Sequence, residues 1–580
     1  MAQAGFFVVA CGISSVFLRL VGYVFLRWFP SSIFPSIIFT FATIYGLSAI
    51  NIWRNHDDHA DKLESTTPGT SDSPERTASV DKQASAKIST HNSGLRKKSL
   101  FAVLFFGIPS KSRPILSVLA VLTNLTILMF ALDFIYRSFY LYPEHDVAFT
   151  RLGHVSANSA RLIVRQPNTV RPVEVRFTEI TPLVSASEVF SHQTDFSNWN
   201  VAISSKPVDG QTDYTAVIDL SNLKPSTDYA FTSSSMNGTF TTSSNKVGSF
   251  SFLFTSCIKA RVPYNPLDHP LAINGFRIHN FLLSTVDFFL FLGDFTYADV
   301  PKLLGTDVES YRRHYRQVYS DLIKTGFHQL PTVHVFDDHE IINDYDPKYS
   351  ALYEPAIMAW KEYQGRGNPN PVRNDGTYYQ FERQGIPFFL LDTRTFRSGK
   401  NVEDGPAKTM LGEKQLADLH KFLITHRSAP VKFIVSSCPF TKNWQGPDAK
   451  DTWAGYLHER SIVLNWLWQI NDGGLVVILS GDRHEAAAIR FPNPNYGDQK
   501  RNARDVYEFS TSPFSQFYVP IRTHNTNDLE DVTIMYMPDG NSKVGKIDVN
   551  KQKDGTVEIV YRLFIDGEQK WLYELSSRSI

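Results

Sequence analysis

From residue 249 onward, six short apolar runs recur along the chain: SFSFLFTSC (249–257), VDFFLFLGDFTYAD (286–299), LPTVHVFDDHE (330–340), IPFFLLDTRTFR (386–397), VKFIVSSCPF (431–440) and LVVILSGDRHE (475–485). Each is rich in Val, Ile, Leu and Phe, lacks polar alternation and is bounded by turn or polar residues. That is the pattern of a strand buried on both faces, as in a parallel sheet. Between the runs, stretches at 311–330, 413–427 and 459–472 space their apolar residues near the helical period. Strand and helix in alternation predict an α/β layered core. Ligands of such sheets collect at the carboxyl ends of the strands. Here those ends carry Cys257, Asp294, Tyr297, Asp338, His339, Asp392, Arg394, Asp482 and His484.

Residues 146–246 follow a different pattern. Short alternating stretches (ARLIVRQ, VEVRFTEI, TAVIDL, YAFTSSS, GTFTTSS) are separated by turn signals, predicting an all-β sandwich of about 100 residues. LKPSTDYAF at 223–231 resembles the corner of fibronectin type III-like modules, with Tyr229 as its buried tyrosine. No ligand cluster occurs there, so a structural role is expected. EFSTSPFSQF at 508–517 reads as a further strand and turn. The alternating segment 544–577 around Lys553-Asp554-Gly555 reads as a hairpin closing a sheet edge.

The first 140 residues carry three apolar stretches long enough to span a bilayer, at about 5–26, 31–50 and 115–136. Arg19 inside the first is costly at membrane depth. LFAVLFFGI at 100–108 is too short to cross and is expected at the interface. Residues 51–99, rich in Ser, Thr, Asp and Lys, read as disordered. Arg96, Lys97, Lys98, Lys111 and Arg113 precede the third span. The positive-inside rule therefore places this loop in the cytosol and everything after about residue 140 on the lumenal or extracellular side. Asn237-Gly-Thr239 would be a usable glycosylation acceptor on that side.

Lys plus Arg and Asp plus Glu both number 58, so no global field or basic stripe selects nucleic acid. The three cysteines, Cys11, Cys257 and Cys438, do not make a disulfide framework.

Ser256-Cys257, GDFTYAD (293–299), DDHE (337–340), LDTR (391–394), GDRH (481–484) and D-x-W-x-G-Y-x-x-E-R (451–460) together resemble the PhoD-like alkaline phosphatases, within the calcineurin-like metallophosphoesterases. The resemblance covers about 145–520, including the leading sandwich. It implies a layered β-sandwich-type core flanked by helices, expected at 248–580, preceded by an Ig/fibronectin III-like domain (141–247); the anchor region (1–140) lies outside the resemblance and is read from its apolar stretches. It also implies hydrolysis of phosphate mono- or diesters by a metal-activated hydroxide. The residues themselves support the same chemistry. Asp294 is the natural carboxylate to bridge two cations. Cys257, Tyr297 and His484 suit Fe3+ better than Mg2+. Asp338 and Asp482 complete an oxygen-rich site, for which the resemblance implies Ca2+. His339 is a candidate for leaving-group protonation. Arg394 offers a planar fork to phosphate oxygens, or else a structural pair with Asp392. Asp337 reads as a loop-shaping residue outside the ligand set. Trp444, Trp453 and Tyr456 are expected at the mouth. Two other readings compete: a catalytically silent membrane adaptor that keeps the fold, and covalent catalysis through a Cys or Ser nucleophile, which needs a base near Cys257.

Overall fold

The computed structural model describes residues 2–55, 100–180, 189–190, 195–347, 350–374, 376–446, 448–470, 474–494, 505–518 and 520–577. Most of the polar stretch 51–99, with Arg96, Lys97 and Lys98, lies outside the described residues; residues 51–55 finish a helix. The chain divides into two compact units, Met1–Arg137 and Ser138–Ile580.

The first unit holds helices α1 (Ala2–Arg27), α2 (Phe34–Asn55) and α3 (Pro114–Leu132). Three segments, Gly5–Arg27, Phe34–Arg54 and Pro114–Leu141, are long and apolar enough to cross a membrane. Arg19 is accommodated by polar partners rather than by solvent: Nε donates to Asn124 Oδ1 at 2.7 Å and Nη1 to the Leu104 carbonyl at 2.7 Å. The 100–108 run packs among the helices. Tyr45 donates to the Gly107 carbonyl at 3.2 Å, and Gly107 takes φ +66° with Ser15 where a Cβ would sit. Val103 and Gly107 of this run are buried, while Leu100, Phe101, Leu104, Phe105 and Phe106 are exposed.

The second unit starts with two small antiparallel sheets. Strands β1 (Phe149–Val155), β2 (Ser159–Arg165) and β5 (Thr215–Ser221) form one. The other, in the order β4-β3-β6-β7, comprises β3 (Glu174–Glu179), β4 (Asn200–Ile203), β6 (Asp228–Thr232) and β7 (Asn237–Thr241). They share one apolar core that includes Leu162, Val175, Ile218 and Phe231. Tyr229 is buried in it and its hydroxyl accepts the Lys224 N–H at 2.9 Å.

The six apolar runs are all strands, but they divide between two sheets. Strands β8 (Phe250–Thr255), β9 (Phe288–Leu292) and β10 (Thr332–Val335) are parallel neighbours. Strands β12 (Ile386–Leu390), β13 (Val431–Val435) and β14 (Leu475–Ser480) are parallel neighbours in a second sheet. That sheet also holds β11 (Tyr379–Arg383), β15 (Ala486–Phe491), β16 (Val506–Thr511) and β17 (Val532–Met537). The sheets face each other through aromatic packing, with Phe252 5.6 Å from Phe388 and 5.4 Å from Phe433 between ring centroids.

Helices cover both outer faces, which is why the strands lack alternation. Helix α4 (Val308–Leu322) lays Tyr311, Tyr315, Tyr319 and Leu322 into the core on one side. Its N-cap Asp307 accepts the Ser310 N–H at 2.8 Å. It is followed there by α5 (Ser350–Tyr363). On the other side, α6 (Gly412–Thr425) and α7 (Leu457–Gln469) pack Leu419, Phe422, Val463 and Leu467 on β12–β14. Trp444, Trp453 and Tyr456 belong to this second core and are almost fully buried, so the place expected for them at the mouth is not where they lie.

The 544–577 segment forms more than an edge hairpin. Strands β18 (Lys543–Lys551), β19 (Val557–Ile565) and β20 (Glu568–Ser576) make a meander, and β18 pairs directly with β8 in the middle of its sheet.

A buried ionic joint ties the small sheets to α4 and α5. Asp213 accepts from Arg165 at 2.8 Å and from Arg316 at 2.6 Å, and also from the Tyr363 hydroxyl. Arg316 reaches on to Glu309, and Arg312 pairs with Glu362 at 2.6 Å.

Candidate metal centre

Every parallel strand of the two facing sheets ends at the same edge, so loops from both sheets converge there. The chain must turn sharply at each strand end to aim a side chain inward. Cys257 (φ +66°), Asp294 (φ +57°), Asp482 (φ +74°) and His484 (φ +57°) all take left-handed backbone conformations that L-residues rarely adopt. Such conformations persist where the surroundings over-determine them, and they concentrate at functional sites. The surroundings here are specific. Glu340, held up to about pKa 8 by burial, accepts the N–H groups of Asp294 (2.9 Å), Phe295 (2.6 Å) and Asp337 (2.8 Å). Ser256 Oγ accepts the Asp482 N–H at 3.0 Å, and Ser512 Oγ accepts the His484 N–H at 2.7 Å.

These turns bring seven of the eight sequence-predicted residues to one place. Asp294 is central and only 1% exposed. Its Oδ2 accepts from Cys257 Sγ at 3.3 Å and from the Tyr297 hydroxyl at 3.0 Å, and that hydroxyl lies 3.0 Å from His484 Nε2. Ligand atoms of Asp294, Asp338 and His339 lie within 4.8 Å of one another, as do those of Asp294, Asp337 and Asp482. A third set, Asp338, Asp344 and Asp451, is already engaged in ion pairs with Arg394, Lys400 and Arg397.

Arg394, expected at the phosphate, is fully buried behind the carboxylates. Its guanidinium is committed to Asp337 and Asp451, with Nη2 3.6 Å from Asp338. The alternative side-chain pair with Asp392 does not form either; Asp392 accepts the Arg394 backbone N–H at 2.9 Å.

Two residues outside the expected set stand out. Asp337 faces Asp294 and Asp482, and its Oδ2 is buried without a hydrogen-bond partner. Asp299, the last residue of GDFTYAD, holds His339 Nδ1 at 2.7 Å while the imidazole stacks on Tyr297, centroids 4.0 Å apart. The motif contained Asp299, but nothing in its spacing marked it as the partner of a histidine forty residues on.

The electrostatics describe a site short of positive charge. Burial pushes Asp294 and Asp482 well above the carboxylate range, and Asp337 is raised for the same reason. Burial and then Asp294 push Cys257 and Tyr297 up. Burial holds His484 neutral. Burial opposes the charged form of His339, but Asp299, Asp338 and Asp294 outweigh it and raise its pKa well above the usual value. A thiol and a phenol lose their protons here only beside a cation, and a neutral imidazole is already in the ligand form. Reactive nucleophilic cysteines sit in electropositive surroundings; Cys257 sits among carboxylates.

Comparison with known proteins agrees. A search of the curated proteins finds no match. A solved structure titled as that of PhoD is similar in fold, at 18% identity and a TM-score of 0.55, over 74% of this chain and 92% of that one. The family model for PhoD-like phosphatase matches residues 252–559, more than half of the chain and every strand end that builds the centre. The chain thus belongs to the PhoD-like phosphatases, a family of metal-dependent phosphoesterases.

Proposed function

We propose that the protein is a membrane-anchored phosphatase or phosphodiesterase whose catalytic region lies on the lumenal or extracellular side. The observation that carries the catalytic reading is the convergence of Asp294, Asp337, Asp338 and Asp482 in a buried site whose own cations are too few to balance them. The donor set fits two kinds of ion. Cys257, Tyr297 and His484 beside Asp294 suit Fe3+, and the carboxylate-only group suits Ca2+. When bound, such cations polarise phosphoryl oxygens and lower the pKa of water.

The remaining work falls to the chain. Asp294 presents oxygens to both ligand sets. Arg394 and the Ser437 hydroxyl, at 2.6 Å, fix one oxygen of Asp337 and leave the other facing the centre. Asp299 fixes Nδ1 of His339, which leaves Nε2 to deliver a proton to the departing oxygen. Glu340 keeps the turns at Asp294 and Asp337 in register. The sheets at 149–241 act as a fibronectin-like support rather than a second catalytic module. A silent adaptor would have no use for four left-handed residues, on three turns, that aim ligand-type side chains at one point.

The test is metal analysis, visible absorption and hydrolysis of phosphate mono- and diesters by the purified full chain. Stoichiometric iron with a charge-transfer band, calcium and ester hydrolysis are expected. A colourless, fully active enzyme overturns the ferric assignment alone; a protein that hydrolyses neither ester overturns the reading. His339→Ala is expected to keep its metals and to lose kcat by roughly 10²–10⁴-fold. The membrane reading has a separate check. In sealed vesicles of the home membrane, protease added on the cytosolic side should spare residues 250–520, and Asn237, exposed at the start of β7, should carry glycan.

A further inference from the structure

Among the described residues, the cationic groups that border the centre already have hydrogen-bond or ion-pair partners, with one exception. Arg394 is bound to Asp337 and Asp451, and its Nη2, without a hydrogen-bond partner, lies 3.6 Å from Asp338. Lys259 donates to the Tyr297 carbonyl at 3.2 Å, and Lys543 donates to the carbonyls of Gly540 at 2.7 Å and His484 at 3.2 Å. Arg483 stands between Asp482 and His484, half-buried. No hydrogen bond or ion pair reaches its guanidinium among the described residues, and its buried Nε has no partner.

Its position is not left to chance. The turn is left-handed on either side of it, the Asp482 and His484 N–H groups are held by Ser256 and Ser512, and its own N–H donates to the Gly481 carbonyl at 3.0 Å. Its charge is close enough to act on Asp482, His484 and Glu485, though no hydrogen bond or ion pair joins it to any of them. A buried donor without a partner, on a rigid turn beside a site for an anion, needs an explanation. A guanidinium fork matches phosphoryl oxygens in both charge and geometry.

We propose that Arg483 is the substrate-phosphate binding residue of this site, the part that the sequence reading gave to Arg394. It favours monoesters, because a monoester dianion carries three non-bridging oxygens and a second negative charge, whereas a diester carries two and one. This assignment rests on the phosphoesterase reading, and its test keeps the two apart.

The full chain, loaded with its metals, is titrated with inorganic phosphate and assayed on p-nitrophenyl phosphate and bis(p-nitrophenyl) phosphate. Arg483→Ala is expected to weaken phosphate binding and to lower kcat/KM for the monoester by roughly 10- to 100-fold. The diester should lose severalfold less, and metal content should be unchanged. Arg483→Lys keeps the charge without the fork and should fall between the two, which also serves if the alanine variant folds poorly. Unchanged phosphate binding in both variants, or metal lost in step with activity, overturns the assignment. Equal losses on both esters overturn the monoester preference. A wild-type protein that binds phosphate through Arg483 yet hydrolyses neither ester keeps the anchor and removes the hydrolase reading; one that hydrolyses esters with Arg483→Ala unchanged does the reverse.

Discussion

The second unit buries two clusters of charge that differ in one respect. In the joint between the small sheets and α4–α5, Arg165, Arg312 and Arg316 meet Asp213, Glu362 and, at the solvent edge, Glu309, so acids and bases match one for one. At the strand ends, Asp294, Asp337, Asp338 and Asp482 converge with Arg394, His339 and Arg483 to offset them, the first two shared with Asp451 and Asp299. Burying a charge is costly unless it is paired. The joint solves that cost within the chain and is therefore structural. The centre leaves it unsolved, as the proposed cation site requires. The same residue type, a buried aspartate, holds the fold together in one place and makes the fold need a ligand in the other.

Three measurements would break or sharpen this contrast. The largest effect is expected from Asp294→Asn, which should lower kcat/KM by roughly 10³-fold or more and deplete bound metal. In metal-stripped protein the same change should not lower the Tm, because it removes a crowded carboxylate; a lower Tm there would mean that Asp294 is paired structurally, like Asp213. Next, Asp213→Asn strands Arg165 and Arg316 without their shared partner. It should cost about 3–5 kcal/mol of stability while kcat per folded molecule stays the same. Loss of kcat at full stability would place the joint in the mechanism.

The smallest effect is one of sign, read from thermal unfolding against pH. In the metal-stripped centre, Glu340 is raised from an ordinary 4.5 to about 8. The folded state there holds its proton more tightly, so this contribution is full below about 4.5 and is lost as pH rises through about 8. In the joint, burial opposes the charge of Asp213 but Arg165 and Arg316 outweigh it and hold its pKa below the usual 3.8, so its contribution is present above 3.8 and lost as pH falls. Returning the metals should flatten the upper slope and leave the acid slope alone. If metals do not change the upper slope, the centre is not where the cations go.

Much of this was legible along the chain, and the limits are physical. The six strands announced themselves because strands covered on both faces must be apolar throughout. For the same reason they gave no sign of which sheet each would join: all six look alike, and the choice is made by contacts such as Phe252 on Phe388, more than a hundred residues apart. Ligand-type side chains at strand ends were visible, but their directions were not. Asp337 and Asp338 are consecutive, and only the turn held by Glu340 decides that both face the centre. Arg394 and Arg483 each follow a strand within a recognisable motif; one is turned inward onto carboxylates and the other is left unpaired. The partner of Arg19, Asn124, lies 105 positions on, beyond any local pattern.

The seating of β18 beside β8 has a consequence for synthesis. Ser251 and Asp548, hydrogen-bonded across that pair, are 297 positions apart. Until residues near 551 have left the ribosome, the strand that carries Cys257 lacks one of its two neighbours, so its sheet is closed only after every other ligand has been made. Contacts of such long range are slow to form, and exposed strand edges invite wrong partners in the meantime. The order of translation therefore defers completion of the site, and a nascent chain halted before β18 should present an open edge to quality control rather than a half-active enzyme.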